Sequence, residues 1–387
     1  MVKIIKNNIS SLNLINDKEQ KLLKDITRPM LQSPAINTLA TSNQRSFDEN
    51  GKLINEKFEI SLLNKNFGLS TSKVLMILLM ELTKRLPIDR DISKLTDKQI
   101  NNISKIKIKP RDYADLCGIK DIKQARKDIK TAIDVLSKTT LTIKSINENK
   151  TKYKEDTIPF YKKISVEYKN ENPLDRMKLL YDNLENPVET DEVEERELSS
   201  TEFYFSDVFL DYIIKESLFY FPIELLKIKG NKDYESYYIG LKLFNHYSMN
   251  ANKSNKNSIK ISTLLKSAPN IPTYEEVASK GRQMTKRIIE PLERSLDRLK
   301  KDGFLSGWEH RKPKKRLYTD TELEKGKISD TITEGSIFFE LNKNYSDIYD
   351  FHKQKAKATK EKTTTKRTTG TKKATKTKKS DTETDNL

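Results

Sequence analysis

Two stretches of this chain, 70–168 and 217–341, carry the same order of elements: an apolar helix, a short helix, a long basic helix, then alternating strands. This doubling constrains the fold more than any other feature. A long helix with aliphatic residues every third or fourth position and cations between them must bury one face and leave the other wet. Each stretch reads as a helix-turn-helix followed by a β-hairpin wing, a shape that fits a DNA major groove. The expected fold class is α+β, with two tandem winged-helix domains at 51–168 and 201–345. An acidic linker at 169–200 joins them, a partly disordered arm at 1–50 precedes them, and a Lys/Thr-rich disordered tail at 346–387 follows.

In the first stretch, Ser70-Thr71-Ser72 is the expected N-cap cluster. It leads into Val74, Leu75, Leu78, Leu79 and Leu82 at helical spacing. Met76, Ile77 and Met80 make this helix apolar nearly all round, which places it deep in a core or under a second subunit. Lys105–Lys109 alternates as a short strand stopped by Pro110, and Arg111–Cys117 is a short helix closed by Gly118, a residue suited to a left-handed C-cap. Asp121 then caps a long helix whose inward face is Ile122, Ala125, Ile129, Ala132, Ile133 and Leu136. Leu141–Ile143 and Ile164–Val166 alternate as strands around a Lys-rich polar tip (Lys150, Lys152, Lys154), the expected wing.

In the second stretch, Glu202–Phe205 is a strand and Val208–Lys215 a helix. Tyr220-Phe221-Pro222 leads into Ile223–Leu226, and Tyr234–Tyr247 is helical, burying Tyr237, Ile239, Leu241, Leu243 and Phe244. Ile259–Leu265 carries a strand running into a short helix. The basic helix spans about 280–301, with Met284, Ile288, Leu292, Leu296 and Leu299 on one stripe. Pro291 should bend or divide it, because proline removes a helical hydrogen bond. Gly303 ends it, and Phe304-Leu305 and Ser336–Phe339 supply the strands of the second hairpin.

Charge narrows the partners. The 387 residues carry a formal net charge of +17, a surplus that favours a polyanion, with nucleic acid ahead of membrane. The longest apolar run, Val74–Met80, is far shorter than the roughly 20 residues that span a bilayer. No secretory signal is visible in Met1–Leu31, so a cytoplasmic setting is expected. The linker 169–200 holds ten acidic against four basic residues, and the tail from Lys353 to Leu387 twelve basic against four acidic. The linker is a solvated spacer or a competitor for the basic faces. The tail should add non-specific, salt-sensitive affinity for DNA.

Catalysis finds little support. The three histidines (His246, His310, His352) are scattered singly, so no metal constellation and no bound metal or cofactor is expected. The paired-histidine metal site of rolling-circle nickases is missing, and no phosphate-cradling GxxxxGK[ST] loop occurs. Cys117, the one cysteine, is a buried small hydrophobe by its position in an amphipathic segment. The chain is read as no enzyme.

DNA recognition has better candidates. On the first long helix the apolar face leaves Lys123, Gln124, Arg126, Lys127 and Lys130 outward, mostly in the N-terminal half from which recognition helices touch bases. Gln124 and Arg126 suit bidentate contacts to adenine and guanine, and the lysines suit phosphates. On the second helix the outward set is Lys280, Arg282, Gln283, Lys286 and Arg287. The second wing adds Arg311, Lys312, Lys314, Lys315 and Arg316, five cations in six positions, suited to backbone or minor-groove contact. Glu290, Glu293 and Arg294 read as surface pairs, and Trp308 as a packing residue of the hairpin.

Phe203-Tyr204-Phe205-Ser206, Tyr220–Lys229, Tyr234–Phe244 and Arg287-Ile288-Ile289-Glu290-Pro291-Leu292 resemble the plasmid replication initiators of the tandem winged-helix type, the iteron-binding RepA/RepE/Pi-like family. Asp115–Leu136 is similar in layout to the family's first recognition region. The resemblance covers roughly 60–345 and departs from the family in the long arm, the acidic spacer and the tail. It implies binding of double-stranded DNA at repeated origin sequences (iterons), melting of AT-rich DNA and recruitment of host replication proteins. It also implies a homodimer formed through the first winged helix that represses its own promoter. A transcriptional regulator without a replication role stays open, since the same domains serve both, as does a DNA-nicking or priming enzyme at longer odds.

Overall fold

The structure is a computed structural model. It describes residues 27–32, 34–40, 48, 52–54, 58–62, 67–87, 92–146, 153–168, 197–229, 234–279, 283–311 and 332–350. The architecture is α+β. In chain order the elements are β1 Thr27–Gln32, α1 Pro34–Ala40, β2 Lys52–Ile54, β3 Phe58–Ser61, α2 Leu69–Arg85, α3 Asp97–Ser104, β4 Lys105–Ile108, α4 Pro110–Cys117 and α5 Ile122–Leu136. Strands β5 Thr140–Ile146, β6 Tyr153–Pro159, β7 Tyr161–Tyr168 and β8 Leu198–Phe205 follow. Then come α6 Asp207–Ile213, β9 Ser217–Pro222, a 3₁₀ turn Ile223–Lys227, α7 Tyr234–Met249, β10 Ser258–Lys260, α8 Ile261–Ser267, α9 Tyr274–Ala278, a π turn Thr285–Ile289 running into α10 Glu290–Lys301, β11 Leu305–Arg311 and β12 Ser336–Leu341.

Helix α2 shows why the sequence made it apolar all round. Every residue from Thr71 to Met80, and Leu82, is buried. It packs against β1, α1, α3, β4 and α5, so the chain itself covers it and no second subunit is needed for that. The expected serine cap is displaced. Gly68 holds the N-cap position, and Ser70–Ser72 lie within the first turn. Ser72 instead spends its hydroxyl on the Ala40 carbonyl (3.0 Å) and on the Tyr237 hydroxyl (3.0 Å), because its side of the helix faces other elements rather than solvent.

The long helix α5 matches its sequence stripe. Asp121 accepts from the Lys123 amide at 2.9 Å, and Ala125, Ile129, Ala132, Val135 and Leu136 are buried. Each fully buried aliphatic side chain of this kind stabilises by roughly 1.5–3 kcal/mol. Gly118 closes α4 in the left-handed region (φ 63°), as its place in the sequence predicted.

Three strand assignments change. β5 pairs with β6, so the first hairpin is Thr140–Pro159, and Ile164–Val166 does not form its return strand. Those residues belong to β7, which pairs with β8. β8, expected to open the second unit, instead sits between β7 and β4 in a three-stranded sheet ordered β4-β8-β7. The cause lies in β8's alternation: Phe203 and Phe205 are wholly buried, while Glu202 and Tyr204 face the lysines of β4 and β7. β5 also pairs with β3, giving the order β2-β3-β5-β6.

Part of the segment expected as a loose arm is structural. β1 pairs antiparallel with β9 across its whole length, Met30, Leu31, Ile36 and Leu39 are fully buried, and the Leu31 amide donates to Thr83 Oγ1 at 2.9 Å. The helix considered near Lys18–Ile26 lies outside the described residues, as do most of the acidic linker and the Lys/Thr tail.

In the second unit, α7 is buried through Tyr237, Tyr238, Ile239, Leu241, Leu243, Phe244 and Tyr247. Its Gly240 lets Leu225 and Leu299 approach so closely that a Cβ there would sit 2.9 Å from a methyl of each. The sheet order is β10-β12-β11. Just before Pro291 the basic helix changes from the π turn Thr285–Ile289 to α10, with Pro291 in the first turn of α10. The Glu290 amide reaches back five residues to the Thr285 carbonyl, and this wider turn accommodates the proline ring while the helix continues.

The two units share one hydrophobic core, and polar contacts cross the joint between them. Lys73 of α2, 5% exposed, donates to the Ile228 carbonyl at 2.7 Å and lies 5.9 Å from the Tyr237 ring centroid. Burial lowers its pKa below the ordinary lysine value of 10.5. Its proton is therefore held less firmly in the native chain than in the unfolded one, so stability rises as pH climbs from the lowered value toward 10.5. Lys73→Met should abolish that alkaline rise, as read by urea unfolding at neutral and alkaline pH; an undiminished rise contradicts the assignment. Gly118→Ala should cost about 1–2 kcal/mol from backbone conformation, since space for the methyl exists (nearest atom 3.6 Å, on Lys227); equal stability in the same assay contradicts this.

Candidate nucleic-acid interface

The two basic helices are held differently: α5 packs on α2 and the short helix α4, whereas α10 packs on α7 and on strand β11 of the hairpin. In the first unit, α4 packs on α5, and the Tyr113 hydroxyl, on α4, donates to Asp128 Oδ2 of α5 at 3.2 Å. Burial, with the neighbouring Cys117 and Asp128, pushes the Tyr113 phenol far above its usual range. Burial likewise pushes the thiol of the buried Cys117 up to about 11.

The five α5 candidates divide. Lys123, Gln124 and Lys127 are exposed, and Arg126 and Lys130 half-buried. Gln124 donates to Asp128 Oδ1 at 2.7 Å, so its amide is already engaged within the helix. Arg126 is engaged more firmly: its two terminal nitrogens lie 3.1 and 3.2 Å from the two oxygens of Glu197, just ahead of β8. Its side chain is 17% exposed. The helix therefore presents lysines outward at its N-terminal half, with its two bidentate candidates held by carboxylates. The exposed Lys120 in the turn before α5 belongs with them, and it escaped the helical-stripe argument because it precedes the cap.

In the second unit, Gln283 and Lys286 are exposed and Arg287 is half-buried. Gln283 has φ +71°, the only non-glycine residue in the left-handed region among the described residues. Its carbonyl accepts from the Arg287 amide at 3.0 Å. A side chain held in this region costs about 1–2 kcal/mol, and such strain gathers at functional positions. Lys280, Arg282, Lys312, Lys314, Lys315 and Arg316 lie outside the described residues.

The hairpin is fastened to α10 by two rungs. Glu293 and Asp297, one turn apart, meet His310 Nε2 (2.8 Å) and Trp308 Nε1 (2.9 Å), alternate residues of β11. The Trp308 and His310 rings stack edge to face at 5.5 Å. Glu293 is thus a link to the wing strand, not the surface pair expected, and Trp308 packs in the hairpin as expected. No helical or strand periodicity taken singly exposes such a pairing, because it joins an i,i+4 spacing to an i,i+2 spacing. Arg311 pairs with Glu309 and lies over the Phe338 ring, 3.5 Å from its centroid. That cation braces its own hairpin.

Among the described residues no cluster of three metal-ligating side chains occurs, and no helix is long and apolar enough to cross a membrane. Two clefts of about 280 and 460 Å³ flank Thr333. They are lined by Ser262, Lys266, Tyr274, Glu275, Lys260, Glu334 and Ser336 among others.

No family model matches this chain, and no curated protein matches it significantly. Among solved structures it is similar to domains 2 and 3 of RctB. A crystal structure of selenomethionine derivatives of those domains shares 14% identity, covering 79% of this chain and 98% of that one at a TM-score of 0.42. Another crystal structure of the same two domains shares 16% identity, covering 68% and 83% at a TM-score of 0.37. At these scores the likeness carries no functional weight.

Gln283→Gly should raise stability by roughly 0.5–1 kcal/mol, the relief of the left-handed strain less the entropy of glycine. Urea denaturation of the full chain checks it, and a loss of stability would show that Gln283 is not strained.

Proposed function

We propose that this chain is a sequence-specific DNA-binding replication initiator built from two tandem winged helices, acting by binding and not by catalysis. The observation that carries the reading is the doubled order of elements around each basic helix. In the second unit, α7, β10, α8, α10, β11 and β12 follow one another with the sheet order β10-β12-β11. That order sets the basic helix against a hairpin wing. In the first unit α2, α3, β4, α4, α5, β5 and β6 follow in a similar chain order, but β4 pairs with β8 while the β5–β6 hairpin joins β3, in a separate sheet. A net charge of +17 supplies the non-specific attraction to phosphates. The resemblance of 203–210, 220–229, 234–244 and 287–292 to iteron-binding initiators supports repeated origin sites as the target. Origin opening, recruitment of host replication proteins, a homodimer and repression of its own promoter complete the proposal, with the cytoplasm as its setting.

The test has two arms. A plasmid whose only origin is the DNA flanking the gene should replicate when this chain is supplied and fail without it. A transcriptional regulator would change promoter output without sustaining the plasmid. On a duplex selected from a random pool, Gln283→Ala should cost roughly 1–3 kcal/mol and relax base preference, with little loss on unselected DNA. Equal losses on both duplexes would refute a base-reading role for this residue.

A further inference from the structure

Resting on that reading, we propose that the Arg126 guanidinium is a DNA-phosphate site which Glu197 occupies in the unbound protein, the carboxylate standing in for the phosphate. Two planar oxygens meet the two terminal nitrogens at 3.1 and 3.2 Å, the fork geometry that a phosphate also satisfies. Arg126 lies on the flank of α5, between the core stripe and the outward lysines. Lys123 and Lys130, three residues before and four after, share its side of the helix. A groove-edge phosphate approaching that flank meets three cations.

The pair is unequal in its commitment. The guanidinium is largely enclosed, and its Nε is buried without a partner, so the group is fixed in place. The Glu197 side chain is 47% exposed and stands directly before β8, where it can turn to solvent without disturbing a strand. On release of the carboxylate a phosphate takes over the same two donors. In the sequence Glu197 ends a run holding Glu185, Glu189, Asp191, Glu192, Glu194 and Glu195.

The experiment is fluorescence anisotropy of the full chain on a random-sequence duplex of three helical turns, about 30 base pairs, over a range of salt. Glu197→Gln should tighten binding roughly two- to fivefold, the scale of a partly exposed ion pair. It should also steepen the dependence of log Kd on log salt, by up to about one phosphate's worth. In an Arg126→Lys background, which keeps the charge but loses the fork, the gain should shrink. Weaker binding by Glu197→Gln would mean that Glu197 orients Arg126 and does not compete, and would overturn the proposal. So would an equal gain in the Arg126→Lys background. Absence of binding by the wild-type chain would overturn the DNA-binding reading itself, a result distinct from both.

Discussion

The burial of α2 is the constraint on which the rest of the structure depends. Its ten consecutive buried residues from Thr71 to Met80 require cover on every side. The chain provides it by folding β1 and α1 back over the helix and by laying α5 along it. The same helix then reaches the second unit through Ser72 to Tyr237 and Lys73 to the Ile228 carbonyl. The turn after α4 adds a further point of the joint, with Gly118 against Lys227. β1 ties the arrangement from the other side by pairing with β9. One apolar helix therefore sets where the first basic helix lies and also where the second unit is docked.

Charge is distributed unevenly on this frame. The outward ends of both basic helices carry exposed lysines, while the arginines nearest the core are held by carboxylates or rings: Arg126 by Glu197, Arg311 by Glu309 and Phe338. Lysines on an open face serve as movable point charges for phosphates, whereas a fixed guanidinium fork recognises geometry. The described part of the second hairpin is fastened to α10 through Glu293 and Asp297 with His310 and Trp308.

Much of this was legible in the residues. Ile122 to Leu136 showed its buried stripe, Asp121 its cap and Gly118 its left-handed turn, because each depends on local spacing and local backbone sterics. The outward positions of Lys123, Lys127 and Lys286 followed from the same stripes. What stayed hidden depended on long-range pairing. β8 alternates as well as any strand, yet its sequence does not say that its neighbours are β4 and β7. The β1 segment looked too polar for a core because only Met30 and Leu31 of its six residues are large and apolar in sequence, and their burial needs Thr83 and β9 beside them. The tolerance of Pro291 was equally invisible, since a π turn has no residue signature. Arg126 was read as outward because helical periodicity places it at the flank, where a carboxylate seventy-one positions away decides its environment.

We propose that the two units, joined through Ser72 and Lys73, read a single duplex together. Inserting about five base pairs, half a helical turn, between the two halves of a selected site tests it most directly. A fixed joint predicts that affinity falls toward that of one half-site alone and recovers when a full turn of about ten base pairs is inserted only if the joint yields. Affinity unchanged by the half-turn insertion would contradict the account, since it would mean that each unit finds its groove independently.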